Sequence, residues 1–134
     1  METTKSSIKS FRDLNIWKDA ITLVKVIYEI TKTFPNSEVY GLISQIRRAA
    51  VSVPSNIAEG HMRRHTSEFR QSLFIALGSL AELETQVIIA FELGYIDRDL
   101  KEKVVQSVES LGKQIRSLVS KLNPKPQSPI PAPK

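Results

Sequence analysis

Four separate runs of this chain repeat apolar residues at three- and four-residue steps, and no stretch of comparable length alternates in the manner of a strand. In residues 16–34 the stripe is Ile16, Ala20, Leu23, Val24, Ile27, Ile30 and Phe34, with Asn15 placed to cap a helix and Pro35 to stop it. In residues 37–62 it is Val39, Ile43, Ile46, Ala50, Val53 and Ile57, with Ser37 as the expected cap. Pro54 falls inside that run, where its ring and missing N–H cost about 3 kcal/mol unless the helix bends. The spacing therefore predicts a kinked second helix, with two shorter helices as the alternative, and Asn56 as the group that satisfies carbonyls left free by the proline.

The third run follows a Thr66 or Ser67 cap through Phe69, Leu73, Ala76, Leu77, Leu80, Leu83, Val87 and Phe91 to a stop at Gly94. The fourth starts at Asp97 or Asp99, carries Leu100, Val104, Val108, Leu111, Ile115, Leu118 and Leu122, and ends at Asn123-Pro124. Connections this short favour antiparallel neighbours. The predicted fold is all-α, an antiparallel up-down-up-down four-helix bundle over residues 11–122 with a kinked second helix. Residues 1–10 read as a flexible arm. Residues 123–134, with five prolines, read as a disordered extended tail, a solubilising segment or a ligand for a proline-recognising module.

With no cysteine, the chain forms no disulfide and offers no thiolate to a metal; two histidines without a suitably spaced acidic cluster give no basis for zinc, and no cofactor is expected. No apolar run approaches the roughly 20 residues that cross a bilayer, and the polar start lacks the apolar segment of a secretory signal. The expectation is a cytoplasmic protein with no membrane partner. The net charge of +5 is unevenly distributed, with −4 over residues 71–99 and +5 over residues 100–134. Such a surplus favours polyanions without requiring them, because the lysines and arginine of the fourth helix (Lys101, Lys103, Lys113, Arg116, Lys121) also suit a plain solvated face.

Some apolar residues fall outside the core stripes. Phe74, Ile75 and Ile89 on the third helix, with Ile21 and Tyr28 at the margin of the first, are more than one bundle covers easily, and they predict self-association.

The polar residues divide into two groups. Arg48, Ser52, Ser55 and Glu59 share one side of the second helix, a strip expected to hold an ion pair from Glu59 and to let helices approach closely. A serine and a glutamate without base or oxyanion donors make no nucleophilic site, so no catalytic residue is assigned and no enzyme is expected. His61-Met62-Arg63-Arg64-His65 lies at the turn after the second helix, with Arg70 one turn on. Arginine forks suit phosphate oxygens, and Arg47, Arg48, Arg63, Arg64 and Arg70 are the candidate RNA- or DNA-binding residues. The competing reading is a solvated loop whose arginines pair with Glu68 or another acid. Trp17 is expected to be buried rather than to stack on bases.

Arg47-Arg48-Ala49-Ala50-Val51-Ser52-Val53-Pro54-Ser55-Asn56-Ile57-Ala58-Glu59-Gly60, together with Phe11-Arg12-Asp13-Leu14, Trp17-Lys18, Ser67-Glu68-Phe69, Ala76-Leu77-Gly78-Ser79-Leu80 and Glu82-Leu83-Glu84, resembles one family. It is the four-helix bundle proteins encoded in intervening sequences of bacterial large-subunit (23S) ribosomal RNA genes, and the likeness covers about residues 10–122. The resemblance implies a ring-shaped homopentamer with no established catalysis. A related branch contains accessory variability proteins of diversity-generating retroelements, similar bundles that work with a reverse transcriptase and its RNA through a basic surface. For this chain the resemblance thus implies itself, a nucleic acid and a reverse transcriptase as partners.

Overall fold

The computed structural model describes residues 10–122, so the tail at 123–134 and all of the N-terminal arm but Ser10 lie outside the described residues. Four helices account for nearly all of it: α1 (Asn15–Thr31), α2 (Leu42–Met62), α3 (Thr66–Glu92) and α4 (Arg98–Lys121). Short 3-10 turns at Phe11–Asp13 and Asn36–Glu38 precede α1 and α2, and no strand occurs among the described residues. Helix packs on successive helix, and α4 closes onto α1, while α1 and α3 stand diagonally across the bundle. Phe34 after α1 meets Tyr95 before α4 with ring centroids 5.2 Å apart, which puts both long connections at one end of an antiparallel bundle.

The predicted stripes converge on one core. Ile27, Ile46, Val53, Ile57, Leu73, Leu83, Val87 and Ile115 are fully buried, each burial contributing roughly 1.5–3 kcal/mol. Val39 is the exception, an exposed residue ahead of α2 rather than a member of its stripe. The second helix starts at Leu42, five residues later than Ser37, because residues 36–38 form a tighter turn of their own. Glu38, not Ser37, serves the helix end: its Oε1 accepts from the Leu42 N–H at 3.0 Å and its Oε2 from the Tyr95 hydroxyl at 2.8 Å. Those two hydrogen bonds hold the Glu38 carboxyl below the usual carboxylate range, the Leu42 N–H contributing most, and the same carboxylate pushes the Tyr95 phenol up.

Other helix ends also depart from the sequence reading. Asn15 is already helical, with Leu14 at the cap position behind a turn closed by Ser10 and Asp13. His65 occupies the cap position of α3 without a side-chain bond, so neither Thr66 nor Ser67 caps it; Arg64, at φ 64°, turns the chain so sharply that Thr66 is within the first turn. Asp97 does cap α4, its Oδ1 accepting from the Leu100 N–H at 2.9 Å.

The second helix runs unbroken through buried Pro54, which sets aside two shorter helices. Asn56 does not relieve the proline. Its Nδ2 donates to the Ser52 carbonyl at 2.8 Å and the Ser52 hydroxyl at 3.0 Å, whereas the carbonyl that Pro54 deprives of its i+4 donor belongs to Ala50. One further expectation is revised: α3 is long and apolar enough to cross a membrane by length and composition, with mean hydropathy 1.6 over its most apolar window. That helix packs between α2 and α4, and 44% of the window is buried within the bundle.

Candidate functional site

The residues singled out by the sequence gather around α2. Its contact with α3 is the most extensive between any two helices, and small residues line it. Ser52 Oγ and Ser79 Oγ share a hydrogen bond of 2.8 Å across the seam, Ser79 being buried. Further along, a methyl group at Gly60 would lie 2.4 Å from Ser72 Cβ and 3.2 Å from Phe69 Cδ1, so only glycine lets α3 approach so near. His61 meets the Phe69 ring edge-on at 5.5 Å and fixes the corner where α2 turns into α3.

At that corner the arginines differ sharply in freedom. Arg63 is paired, 3.4 Å from Glu59 and 3.9 Å from Glu68, so Glu59 finds Arg63 rather than Arg48 as its partner. These contacts are solvent-exposed and screened, worth about 0.2–1 kcal/mol each. Arg64 is exposed, and its guanidinium makes no hydrogen bond or ion pair with the described residues. It also occupies a left-handed backbone position that glycine would take without strain. Arg70 lies over the Phe74 ring at 5.5 Å, and its Nε is buried without a hydrogen-bond partner.

Arg47 and Arg48 belong elsewhere, about 22–24 Å along α2 from Arg63. Arg47 is tied to α1: Nε donates to Thr31 Oγ1 at 2.8 Å, Nη2 to the Tyr28 carbonyl at 3.3 Å, and the guanidinium sits 4.4 Å over the Tyr28 ring. Arg48 is exposed, and its guanidinium makes no hydrogen bond or ion pair with the described residues. Both line an open groove of about 500 Å³ with Tyr28, Ser44, Val51 and Ser52. The five candidate arginines therefore form two surfaces.

The exposed apolar residues divide likewise. Phe74 and Ile75, each 51% exposed, and Ile89 lie on α3, joined by Ile88 and by Leu93 just past the helix end. Tyr28, 40% exposed, and half-buried Ile21 lie on α1, diagonal to α3. These apolar residues therefore form two faces, not one patch. Exposed Val51 belongs to the α1 face; it was missed because it stands inside the Arg47–Gly60 pattern, and only its place on the helical wheel beside Arg48 hinted at it. Trp17 is half-buried against Phe11, ring centroids 5.4 Å apart.

No three metal-ligating side chains come together among the described residues. Comparison with curated proteins returns no match. The solved structure of a protein of unknown function from the S23 ribosomal protein family of Bacteroides thetaiotaomicron VPI-5482 has the same fold, with a TM-score of 0.72 at 21% identity over 78% of this chain and 97% of that one. The family model of the 23S rRNA-intervening sequence proteins matches residues 12–117, from the turn before α1 to the penultimate turn of α4, and the chain belongs to that family.

Proposed function

We propose that this chain is a non-enzymatic, self-assembling bundle that holds RNA or DNA by its phosphate backbone at the α2–α3 corner. The observation that carries the polyanion reading is Arg64, an unpaired guanidinium on a left-handed residue at the tip of that corner. A long side chain kept where glycine fits better points to work for the side chain. Arg70, with its unpartnered Nε, and Arg63, weakly held by exposed carboxylates, supply further forks close by. Assembly multiplies one weak corner into several presented together. No helix among the described residues sets these arginines in a row to read base edges, so the binding is tolerant of sequence. By resemblance to the retroelement accessory bundles, the bound RNA would serve a reverse transcriptase, a role that copurification with such an enzyme would test.

Light scattering on the purified protein at low and high salt, with absorbance at 260 and 280 nm across the same peak, tests the reading. The expected result is a multimer with excess 260 nm absorbance that salt removes. Replacing Arg63 and Arg64 with alanine should weaken oligonucleotide binding and flatten its salt dependence by about one to two charges per corner, with helicity unchanged. Binding unaffected by that pair would refute the corner as the site.

A further inference from the structure

The two apolar faces carry opposite charge. On the α1–α2 face, Tyr28 and Val51 stand exposed beside Arg47 and Arg48, and no carboxylate among the described residues pairs with either arginine. On the outer side of α3, Phe74 and Ile89 flank Glu82, whose one hydrogen bond comes from Gln86 Nε2 at 3.5 Å. Between them lies Gly78, and a methyl group built there would meet nothing within 4 Å. A glycine in the middle of a 27-residue helix weakens that helix, and no close approach inside this chain requires it. A close approach by another chain would.

We infer that the outer face of α3 on one copy docks into the α1–α2 groove of a second copy, Gly78 giving room for the approach and Glu82 facing Arg47 and Arg48. The inference rests on the self-assembly reading above and specifies how the copies meet. Pairing α3 with α3 about a twofold axis would set Glu82 near its own copy and leave the arginine groove uncovered; pairing groove with groove would bring four guanidinium groups together. Joining unlike faces covers both apolar surfaces and opposes their charges. The contact is head-to-tail, so each added copy again presents one free face of each kind, and the chain of copies ends when it closes into a ring. Arg47 is preorganised for this by Thr31 and Tyr28, which leaves Nη1 uncommitted.

The test is analytical ultracentrifugation of the full chain across a concentration series. Arg48→Glu and Glu82→Arg should each weaken assembly by about 30-fold or more. The double variant R48E/E82R, and an equimolar mixture of the two single variants, should assemble again. Gly78→Gln should dissociate the assembly while the helical circular dichroism signal stays at the wild-type level, since the new side chain meets nothing in its own chain. A wild-type monomer at every concentration would overturn self-assembly itself. A multimer indifferent to both charge changes, or a double variant no better than the singles, would overturn only the pairing of these two faces. Assembly that survives Gly78→Gln would remove α3 from the contact.

Discussion

Gly60→Ala tests the close approach of α2 and α3. The added methyl would lie 2.4 Å from Ser72 Cβ, well inside van der Waals contact, and Cβ atoms cannot rotate away. α2 and α3 must separate or shear, an overpacking strain of about 1–3 kcal/mol. Alanine is the better helix former by about 1 kcal/mol, which offsets part of the strain. The expected net loss is about 1–2 kcal/mol, and at an m-value of about 1.5 kcal/mol/M the urea midpoint falls by about 1 M. Urea unfolding followed by circular dichroism at fixed protein concentration reads this directly. Ser72→Ala retains the offending Cβ and should not rescue Gly60→Ala. Ser72→Gly removes it, so in that background Gly60→Ala should be neutral or stabilising, with Phe69 Cδ1 at 3.2 Å free to adjust. A Gly60→Ala protein as stable as wild type, or the same loss in the Ser72→Gly background, would refute steric closeness as the reason for the glycine.

Three other outcomes follow from named contacts. Ser52→Ala leaves buried Ser79 without its 2.8 Å partner and should cost about 1 kcal/mol in urea unfolding, whereas the double variant S52A/S79A should recover most of it; equal losses would refute a mutual bond. Arg64→Gly relieves a left-handed arginine and should raise stability by up to about 1 kcal/mol while weakening oligonucleotide binding, and a loss of stability would contradict the strain argument. Glu38 has a folded pKa below its unfolded value, so the stability it contributes is complete above the ordinary carboxylate range and disappears as pH falls through the lowered value. Tyr95, raised by the same bond, contributes below the ordinary phenol range and loses that contribution as alkaline pH passes its raised value. In Glu38→Gln the acid-side component should vanish from a pH series of unfolding midpoints, and an unchanged profile would exclude it.

Legibility in the sequence followed the range of the interaction. Stripes such as Ile16–Ala20–Leu23–Ile27 and Leu73–Ala76–Leu80–Leu83 were readable because helical periodicity is local, and they placed the core and all four helices. Asp97 was readable for the same reason, as its cap reaches only three residues. Ser37 and Thr66 misled because cap preferences compete with turn geometry: a 3-10 turn delayed α2, and the left-handed Arg64 advanced α3. Glu38 capping Leu42 while holding Tyr95, 57 residues away, depends on two loops meeting at one end of the bundle.

The sequence by itself determined an all-helical chain, the faces each helix buries and the residues too apolar or too charged to be spent on its own core, because all of these are set by spacing along one helix. The tertiary structure alone decided which leftovers share a surface. Placing α1 diagonal to α3 put the exposed apolar residues on two faces, Thr31 and Tyr28 tied Arg47 to α1, and Glu59 and Glu68 engaged Arg63 but left the Arg64 guanidinium free. Residues that lie far apart in sequence become neighbours only through helix packing, and helical periodicity carries no information about which helix stands beside which.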